Sequence, residues 1–244
     1  MVNGTQKLSR PPNPVLLRQY GFQIIQKLVP PETCDLLAVE LTALMDQQSG
    51  HSRHKPGGVR NLLRLSPNVA VLAKAESISA LLDELTGKTC FPVRAVFFDK
   101  TPDANWSVPW HQDLAIAVAA RIETPGFGPW SVKDGILHTQ PPMEVLEKML
   151  TVRLHLDDCD ANNGALKVIP SSHTRGEISA EAIAAITGAI QPFVCELPKG
   201  GALVMRPLLL HASSRSGNPD HRRVLHIEYA TEELPNNLKW FDRQ

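Results

Sequence analysis

Three short segments place a histidine two residues before a carboxylate, and such pairs are candidate metal ligands. They are His111/Asp113, His155/Asp157 and His226/Glu228. On an extended segment, residues two apart point to the same side, so each pair could present two ligand atoms together. The first pair follows an aromatic, proline-broken stretch at 105–110, whereas the other two lie in apolar runs typical of core strands. His111 and Asp113 are therefore favoured; the alternative is a purely structural role for both in a loop.

A third ligand is offered by His211, which directly follows the apolar run 208–210. This run predicts a strand that ends at the histidine. Two imidazoles and one carboxylate leave coordination positions open, and this ligand set suits non-haem Fe(II) that activates dioxygen. His138 and His173 are the alternative third ligands.

Arg222 follows His211 by 11 residues and opens a second strand-like run, 222–229. The position at the same offset from His173 is Ala184, so His211 is the favoured ligand. A co-substrate that chelates a metal at one end and carries a carboxylate at the other needs a fixed cation. A guanidinium is planar, always charged and able to bind a carboxylate through two hydrogen bonds.

The two sides of the run 222–229 differ in polarity. One side carries Arg222, Val224, His226 and Glu228, and the other carries Arg223, Leu225, Ile227 and Tyr229. The second side is more apolar and suits a face covered by helices, so Arg222 is favoured over Arg223 as the inward cation. His226 and Glu228 then lie on the inner face, where they line the site or form a structural ion pair.

These features together resemble the phytanoyl-CoA dioxygenase family. The residues that carry the resemblance are His111, Asp113, His211, Ser213, Arg222 and the segment 163–173, Asn-Gly-Ala-Leu-Lys-Val-Ile-Pro-Ser-Ser-His. Ser171 stands where the family usually has glycine. The resemblance covers roughly residues 15–230.

The resemblance implies a reaction and its cofactors. Fe(II) would be held by His111, Asp113 and His211, and the distal carboxylate of 2-oxoglutarate by Arg222 and Ser213. With O2, the enzyme would hydroxylate an unactivated C–H bond of a small molecule and release succinate and CO2. Ser213 could instead be an ordinary turn serine.

Many short strand-like segments separated by Gly, Pro and Asn turns predict a mainly β core with flanking helices. A double-stranded β-helix (jelly roll, cupin-like) fits this order and is also what the resemblance implies. We expect one domain over residues 1–244, with a flexible arm at 1–14. The expected strands include 92–99, 151–156, 166–169, 194–197, 202–205 and 222–229, and the expected helices include one from Pro31 to about residue 48, 79–85, 141–150 and 180–186.

Two loops are candidate lids. The cationic, glycine-rich segment 51–60 is either a solvated loop or a substrate lid. The segment 121–140 contains Pro, Gly, Phe and Trp, and long loops in compact domains are often functional. We expect it to form a wall or lid beside His111.

Several further residues are candidate substrate contacts: Trp110, Gln112, Lys133, Arg153, His155 and His226. Arg153 and His155 share one strand face with Thr151 and Asp157, and four polar groups on one face are either solvated or line a cavity. Gln112 projects opposite to its two neighbours His111 and Asp113.

The composition argues against several classes of binding partner. The formal net charge is zero and aromatic residues make up 5% of the chain. Both values argue against a nucleic-acid or anionic-membrane surface, so we expect a small-molecule partner. The four cysteines contain no C-x-x-C pair, no apolar run approaches a membrane span, and the N-terminal segment lacks the apolar core of a signal peptide. These features favour a cytoplasmic protein.

Two other function classes stay open. A Zn(II) hydrolase could use the same three ligands with a bound water, but Arg222 would have no role in it. A non-catalytic binding protein on a jelly roll would have no need of all three ligands and the arginine.

Overall fold

The computed structural model describes residues 11–49, 58–217 and 220–243. Within these ranges the helices are α1 (Pro14–Tyr20), α2 (Pro31–Ser49), α3 (Leu62–Leu65), α4 (Pro67–Leu72), α5 (Glu76–Thr86), α6 (Met143–Leu146) and α7 (Ala180–Ala189). The strands are β1 (Phe22–Ile25), β2 (Gly58–Val59), β3 (Phe91–Lys100), β4 (Val108–His111), β5 (Ile116–Ala117), β6 (Trp130–Lys133), β7 (Ile136–Thr139), β8 (Met149–His155), β9 (Leu166–Val168), β10 (Phe193–Cys195), β11 (Ala202–Met205), β12 (His211–Ser213) and β13 (Arg222–Ala230).

Two antiparallel sheets form the body of the fold. The large sheet has the strand order β1-β11-β8-β13-β3-β2, and the small sheet has the order β10-β9-β12-β4. From β8 onward the chain passes back and forth between them, with β8, β11 and β13 in the large sheet and the consecutive pair β9 and β10, then β12, in the small one. This winding is a double-stranded β-helix, so the predicted jelly roll is confirmed.

Apolar residues close one end of the space between the sheets. Phe22, Ile24, Leu203 and Met205 from the large sheet form one buried cluster with Leu166, Val168 and Cys195 from the small sheet. The charged and polar side chains described below line the remaining space. The fold therefore has a closed apolar end and an open polar end.

Helices cover the outer face of the large sheet. The main core joins Leu225, Ile227 and Tyr229 of β13 with residues of α2, α3 and α5. The Tyr229 hydroxyl also donates a hydrogen bond of 3.0 Å to the Ala73 carbonyl oxygen. The apolar side of β13 thus faces the helices, as its sequence predicts.

Four local expectations need correction. The arm 1–14 is too long, because α1 begins at Pro14 and the Asn13 side chain accepts hydrogen bonds from the amides at its start; residues 1–10 lie outside the described residues. His211 begins β12 and does not end a strand, because residues 207–209 form a turn. The predicted helix 141–150 is the short α6, and β8 already starts at Met149.

The segment 121–140 is also more ordered than a loop. It contains β6 and β7, which pair with β5 in a separate three-stranded sheet. Asp134 and Gly135 have positive φ angles of 50° and 75°, which produce the tight turn between β6 and β7. Most of the other candidate lid, residues 51–57, lies outside the described residues. No helix in the described ranges is both long and apolar enough to cross a membrane.

The two-sidedness of β13 leads to a stability prediction. Ile227 is fully buried between the sheet and the helices, so Ile227→Ala should lower the free energy of unfolding by about 2–5 kcal/mol. Val132, a strand residue on β6, is 67% exposed, and Val132→Ala should change it by less than about 0.5 kcal/mol. Denaturant unfolding measures both. Equal effects of the two substitutions would contradict this packing.

Candidate active site

His111, Asp113 and His211 meet at the open end of the jelly roll. His111 lies opposite His211 in the pairing of β4 with β12, and the centres of their rings are 4.2 Å apart. The Nε2 atoms of His111 and His211 lie 3.8 and 3.7 Å from the Asp113 carboxylate oxygens. One ligand atom from each residue lies within 4.8 Å of the other two. This is the one such metal-ligand group found among the described residues.

Backbone carbonyls orient both imidazoles. The Nδ1 atom of His111 is 2.8 Å from the Pro109 carbonyl oxygen, and that of His211 is 2.8 Å from the Leu209 carbonyl oxygen. Since a carbonyl oxygen can only accept, each Nδ1 carries the proton and each Nε2 keeps its lone pair for a metal. The alternative ligands, His138 and His173, are not part of this group. Nδ1 of His138 donates to the Ile136 carbonyl oxygen, and Nε2 of His173 donates to the Arg18 carbonyl oxygen.

The protonation states also suit metal binding. Burial alone would raise the pKa of Asp113, but His211, His226, His111 and Arg153 outweigh it and lower this pKa to about 2. Burial lowers the pKa of His211 to about 4. At neutral pH the site therefore offers an ionised carboxylate and a neutral imidazole, the forms that bind metals. The buried Asp113 Oδ2 has no hydrogen-bond partner in the described chain, which fits a divalent metal at this position.

Gln112 holds the metal-binding segment in place. Its amide nitrogen donates to the carbonyl oxygens of Gly176 and Leu208, at 2.8 and 2.7 Å. Its amide oxygen accepts from the Ile178 backbone nitrogen at 2.9 Å. Both donors are used, so Gln112 positions this segment. It also lines the cavity described below, and its contact with a substrate stays a prediction.

The segment 163–173 supports the second half of the site. The Ser172 hydroxyl accepts from the Leu210 amide at 2.8 Å and so holds the turn before His211. Gly164 has a φ of 79°, and a Cβ there would lie 2.8 Å from the Ser214 carbonyl oxygen. Ser171 has a φ of 66°, in the left-handed region that favours glycine. That is the position where the resembling family usually has glycine.

Arg222 and Lys100 place two cations at one end of the cavity. They are directly opposite each other in the pairing of β13 with β3, and both are almost fully buried. The Arg222 Nε atom has no hydrogen-bond partner within the described ranges. Lys100 donates to the Ser213 hydroxyl at 3.1 Å and to the Ser214 carbonyl oxygen. Burial, followed by the charge of Arg222, lowers the pKa of Lys100 to about 7.

Lys100 was missed by the sequence analysis because the predicted strand stopped at Asp99. One more residue of alternation would have placed Lys100 on the same inner face as Arg94, Val96 and Phe98. Arg94 was missed for a related reason, since its position in an apolar strand gave no signal of a pocket. Both residues line the cavity.

A chain of hydrogen bonds and ionic contacts crosses the inner face of the large sheet. Arg94 donates to Glu228 at 2.7 Å, and His226 Nε2 lies 3.4 Å from the same carboxylate oxygen. Arg153 donates through Nη1 to His226 Nδ1 at 2.8 Å. Because arginine can only donate, His226 Nδ1 accepts and its proton is on Nε2.

These side chains surround a cavity of about 300 Å³. Its apolar wall consists of Val96, Phe98, Trp106, Val108, Leu114 and Leu166. The exposed Lys133 lines the cavity from β6, so the segment 121–140 does contribute to its wall. An adjoining cavity shares Val96, Phe98 and Trp106 and extends to Arg60 and Asp134, which form an ion pair.

Two predicted substrate contacts do not line this cavity. Trp110 is half-buried outside it, and Trp106 takes the place expected of an aromatic residue. His155 is fully buried without a hydrogen-bond partner for either ring nitrogen in the described chain. Burial, then Arg153 and Arg222, lowers the pKa of His155 well below its usual value. It is therefore a neutral, buried side chain that does not line the cavity.

Comparisons with known proteins agree with the geometry. The family model for phytanoyl-CoA dioxygenase (PhyH) matches residues 17–224. No curated protein matches the chain significantly in sequence.

Solved structures show the same fold. AviO1 from Streptomyces viridochromogenes Tue57 is 20% identical with a TM-score of 0.68, covering 93% of this chain and 97% of its own. EctD from S. alaskensis, solved with 2-oxoglutarate and 5-hydroxyectoine, is 16% identical with a TM-score of 0.69, covering 94% and 76%. The alpha-ketoglutarate-dependent carbocyclase SnoK from nogalamycin biosynthesis is 13% identical with a TM-score of 0.70, covering 93% and 86%.

The geometry predicts a divalent-metal site at His111, Asp113 and His211. His211→Ala should weaken metal binding by about 100-fold, because it removes one of three protein ligands. His173→Ala should leave metal affinity unchanged, since His173 bonds to Arg18 and lies outside the site. Competition with a chromophoric chelator measures both affinities. Equal affinities of the two variants would remove His211 from the ligand set.

Proposed function

The chain belongs to the phytanoyl-CoA dioxygenase family, and we propose that it is a hydroxylase that acts on an unactivated C–H bond of a small molecule. Family membership and the site together support the broader class, a 2-oxoglutarate-dependent oxygenase. The observation that carries the proposal is the combination of the His111/Asp113/His211 group with the buried, unpaired Arg222 in one cavity.

The cofactors are Fe(II) and 2-oxoglutarate, with O2 as the oxidant. His111, Asp113 and His211 would hold the iron through two neutral imidazoles and one carboxylate. When bound, iron and 2-oxoglutarate supply the activation of dioxygen, with release of succinate and CO2. The remaining roles below belong to the protein's own side chains.

Arg222, Lys100 and Ser213 would receive the distal carboxylate of 2-oxoglutarate. The Arg222 guanidinium is buried away from water, and its Nε atom has no hydrogen-bond partner among the described residues, so an anionic ligand would stabilise it. Lys100 adds a second cation, and its hydrogen bond to Ser213 draws the hydroxyl to the same place. Lys100 thus joins the two residues that the sequence predicts for this carboxylate.

The apolar wall would exclude bulk water from the reacting atoms. Phe98, Trp106 and Leu114 line the cavity beside the metal-ligand group, and removal of water strengthens the electrostatic interactions within the site. Lys133 lies at the exposed edge, where a substrate enters.

Hydroxylation is the proposed outcome because Asp113 is present. In the family resemblance, halogenating relatives lack this carboxylate. Structural similarity does not decide the outcome by itself, since one neighbour is described as a carbocyclase and another, SnoN, as an epimerase. A Zn(II) hydrolase would give Arg222 no function, and a non-catalytic binding protein would not require the complete ligand group.

The first test is anaerobic titration of the Fe(II)-loaded protein with 2-oxoglutarate. A keto acid chelated to Fe(II) gives a weak charge-transfer band in the visible spectrum. We expect the band in the wild type, its loss in His211→Ala, and an increase of about 10- to 100-fold in the 2-oxoglutarate concentration required by Arg222→Gln.

Arg121→Gln is the matched control, because Arg121 is exposed and pairs with Glu123. It should behave as the wild type. A folded, iron-loaded protein without the band would overturn the oxygenase proposal and favour the hydrolase. Product analysis with a turned-over substrate then tests hydroxylation itself.

The pKa of Lys100 predicts how 2-oxoglutarate affinity depends on pH. With a pKa of about 7 in place of the usual 10.5, Lys100 is charged below pH 7 and neutral above it. A carboxylate binds the charged form, so affinity should be highest below pH 7 and fall by up to about tenfold per pH unit above it.

Calorimetric titration across this range measures the affinity, and two buffers of different ionisation enthalpy measure the proton taken up on binding. Lys100→Met should bind more weakly with a flatter profile, whereas Lys133→Met should keep the wild-type slope. A wild-type slope in Lys100→Met would remove Lys100 from the carboxylate site.

A further inference from the structure

A second buried guanidinium, that of Arg153, lines the same cavity as Arg222. Its side chain is 7% exposed, and its Nε atom has no hydrogen-bond partner among the described residues. Burial lowers the pKa of Arg153 to about 10, so the group is still charged at neutral pH. A buried charge without a counter-ion lowers the stability of the folded state. An anion bound to Arg153 would remove this cost.

Two other arginines of the large sheet have carboxylate partners. Arg223, on the opposite side of β13, binds Asp157 through Nε and Nη2 at 2.9 and 2.6 Å. Arg94 donates to Glu228 at 2.7 Å. No such carboxylate pairs with Arg153 in the described part of the chain. The carboxylate whose charge acts on it is Asp113, which raises the pKa of Arg153 and is a candidate ligand of the metal.

Arg153 is nevertheless held in a defined position. Its Nη1 atom donates to His226 Nδ1 at 2.8 Å, and His226 is fixed in turn by Glu228. Phe98 packs edge-on against the His226 ring, with the centres 6.1 Å apart. One side of the guanidinium is thus fixed by the sheet, and the other donors remain for a ligand in the cavity.

The co-substrate carboxylate does not require Arg153. In the strand pairing, Arg222 lies opposite Lys100 of β3, whereas Arg153 of β8 lies opposite His226. Arg222 and His226 are four residues apart on β13, which separates the two rows by roughly 13 Å of backbone. The two guanidinium groups thus come from different rows of the sheet, although the charge of Arg222 still acts on Arg153. Lys100, which is opposite Arg222, donates to Ser213.

The overall charge of the cavity supports a second anion. Its lining has five side chains with basic groups, Arg94, Lys100, Lys133, Arg153 and Arg222, and two carboxylates, Asp113 and Glu228. A divalent metal and the doubly charged 2-oxoglutarate cancel each other, so the excess of positive charge persists when both are bound. An electropositive, partly apolar cavity favours an anionic ligand.

We propose that the primary substrate is a small organic acid and that Arg153 binds its carboxylate. This inference rests on the proposed function, because it assigns a substrate class to the same cavity. The volume of about 300 Å³ is at the lower end of small-molecule sites and also takes 2-oxoglutarate, so the acid is small or extends into the adjoining cavity. Phe98, Trp106 and Leu114 would contact its apolar part.

The test measures binding without turnover. The protein is loaded with Zn(II) and saturated with N-oxalylglycine, an unreactive analogue of 2-oxoglutarate. The probes are butanoate, hexanoate and 3-phenylpropanoate, each compared with its primary amide, and thermal unfolding or calorimetry gives the affinity. We expect at least one acid to bind the wild type about tenfold or more tightly than its amide.

Arg153→Gln should abolish this preference, and Arg153→Lys, which keeps the charge, should retain part of it. Arg121→Gln is the control, because Arg121 is exposed, pairs with Glu123 and does not line the cavity; it should keep the preference. Equal binding of all three acids and their amides to the wild type would overturn the proposal. An unchanged preference in a folded Arg153→Gln protein would also overturn it.

The affinity for N-oxalylglycine separates this proposal from the proposed function. Arg222→Gln should lose about tenfold or more of that affinity, and Arg153→Gln should keep it. If Arg222→Gln keeps it, the co-substrate assignment fails whatever the acids do. If Arg153→Gln loses as much as Arg222→Gln, Arg153 belongs to the co-substrate site and the substrate proposal is overturned.

Discussion

The alternation of side chains along β13 is the constraint on which the rest of the molecule depends. A strand presents successive residues to opposite faces, and β13 lies in the middle of the large sheet between β8 and β3. Leu225, Ile227 and Tyr229 attach the sheet to the helices, while Arg222, His226 and Glu228 line the cavity. A shift of one residue would exchange these two sets, bury charges under the helices and expose the core.

This arrangement allows the cavity to hold charges that the fold would otherwise exclude. Arg153 and Arg222 are buried with unpaired nitrogen atoms, and such groups cost stability. The apolar cluster on the other face of the same strands offsets that cost through buried area. The destabilising buried charges and the stabilising apolar core therefore lie on opposite faces of one sheet. Functional sites in stable folds commonly have such a local cost offset elsewhere.

The grouping of His111, Asp113 and His211 with Arg222 around one cavity could be predicted from sequence, because the signal lies in short segments and in the family resemblance. A histidine and an aspartate two residues apart, and a basic residue at the start of an alternating run, need no knowledge of distant contacts. Lys100 and Arg94 could not be found in this way. Lys100 belongs to the site because it is opposite Arg222 and bonds to Ser213. Both residues are more than 100 positions away in the chain.

The differences between expectation and structure have the same origin. His155 shares a strand face with Arg153, yet it does not line the cavity, because alternation specifies the face of a sheet and not the position along it. Trp110 does not line the cavity either, whereas Trp106 does, because the cavity wall is set by the path of the chain before β4. The segment 121–140 forms strands because a hairpin turn at Asp134 and Gly135 pairs β6 with β7, which its Pro and Gly content concealed.

The two sheets contribute different parts of the site: the candidate metal ligands lie at the small sheet, and the other charged side chains lie on the large one. The metal ligands come from β4, β12 and the residues after β4, all at the small sheet, where the backbone carbonyls of Pro109 and Leu209 fix their orientation. The inner face of the large sheet supplies Arg94, Arg153, His226 and Glu228, and none of these four makes those backbone contacts. Structures with this fold are described as a carbocyclase and an epimerase. In this protein the inner face of the large sheet carries Arg153, which donates to His226 and has no carboxylate partner among the described residues, so the proposed substrate contact lies on the large sheet and the metal-ligand group at the small one.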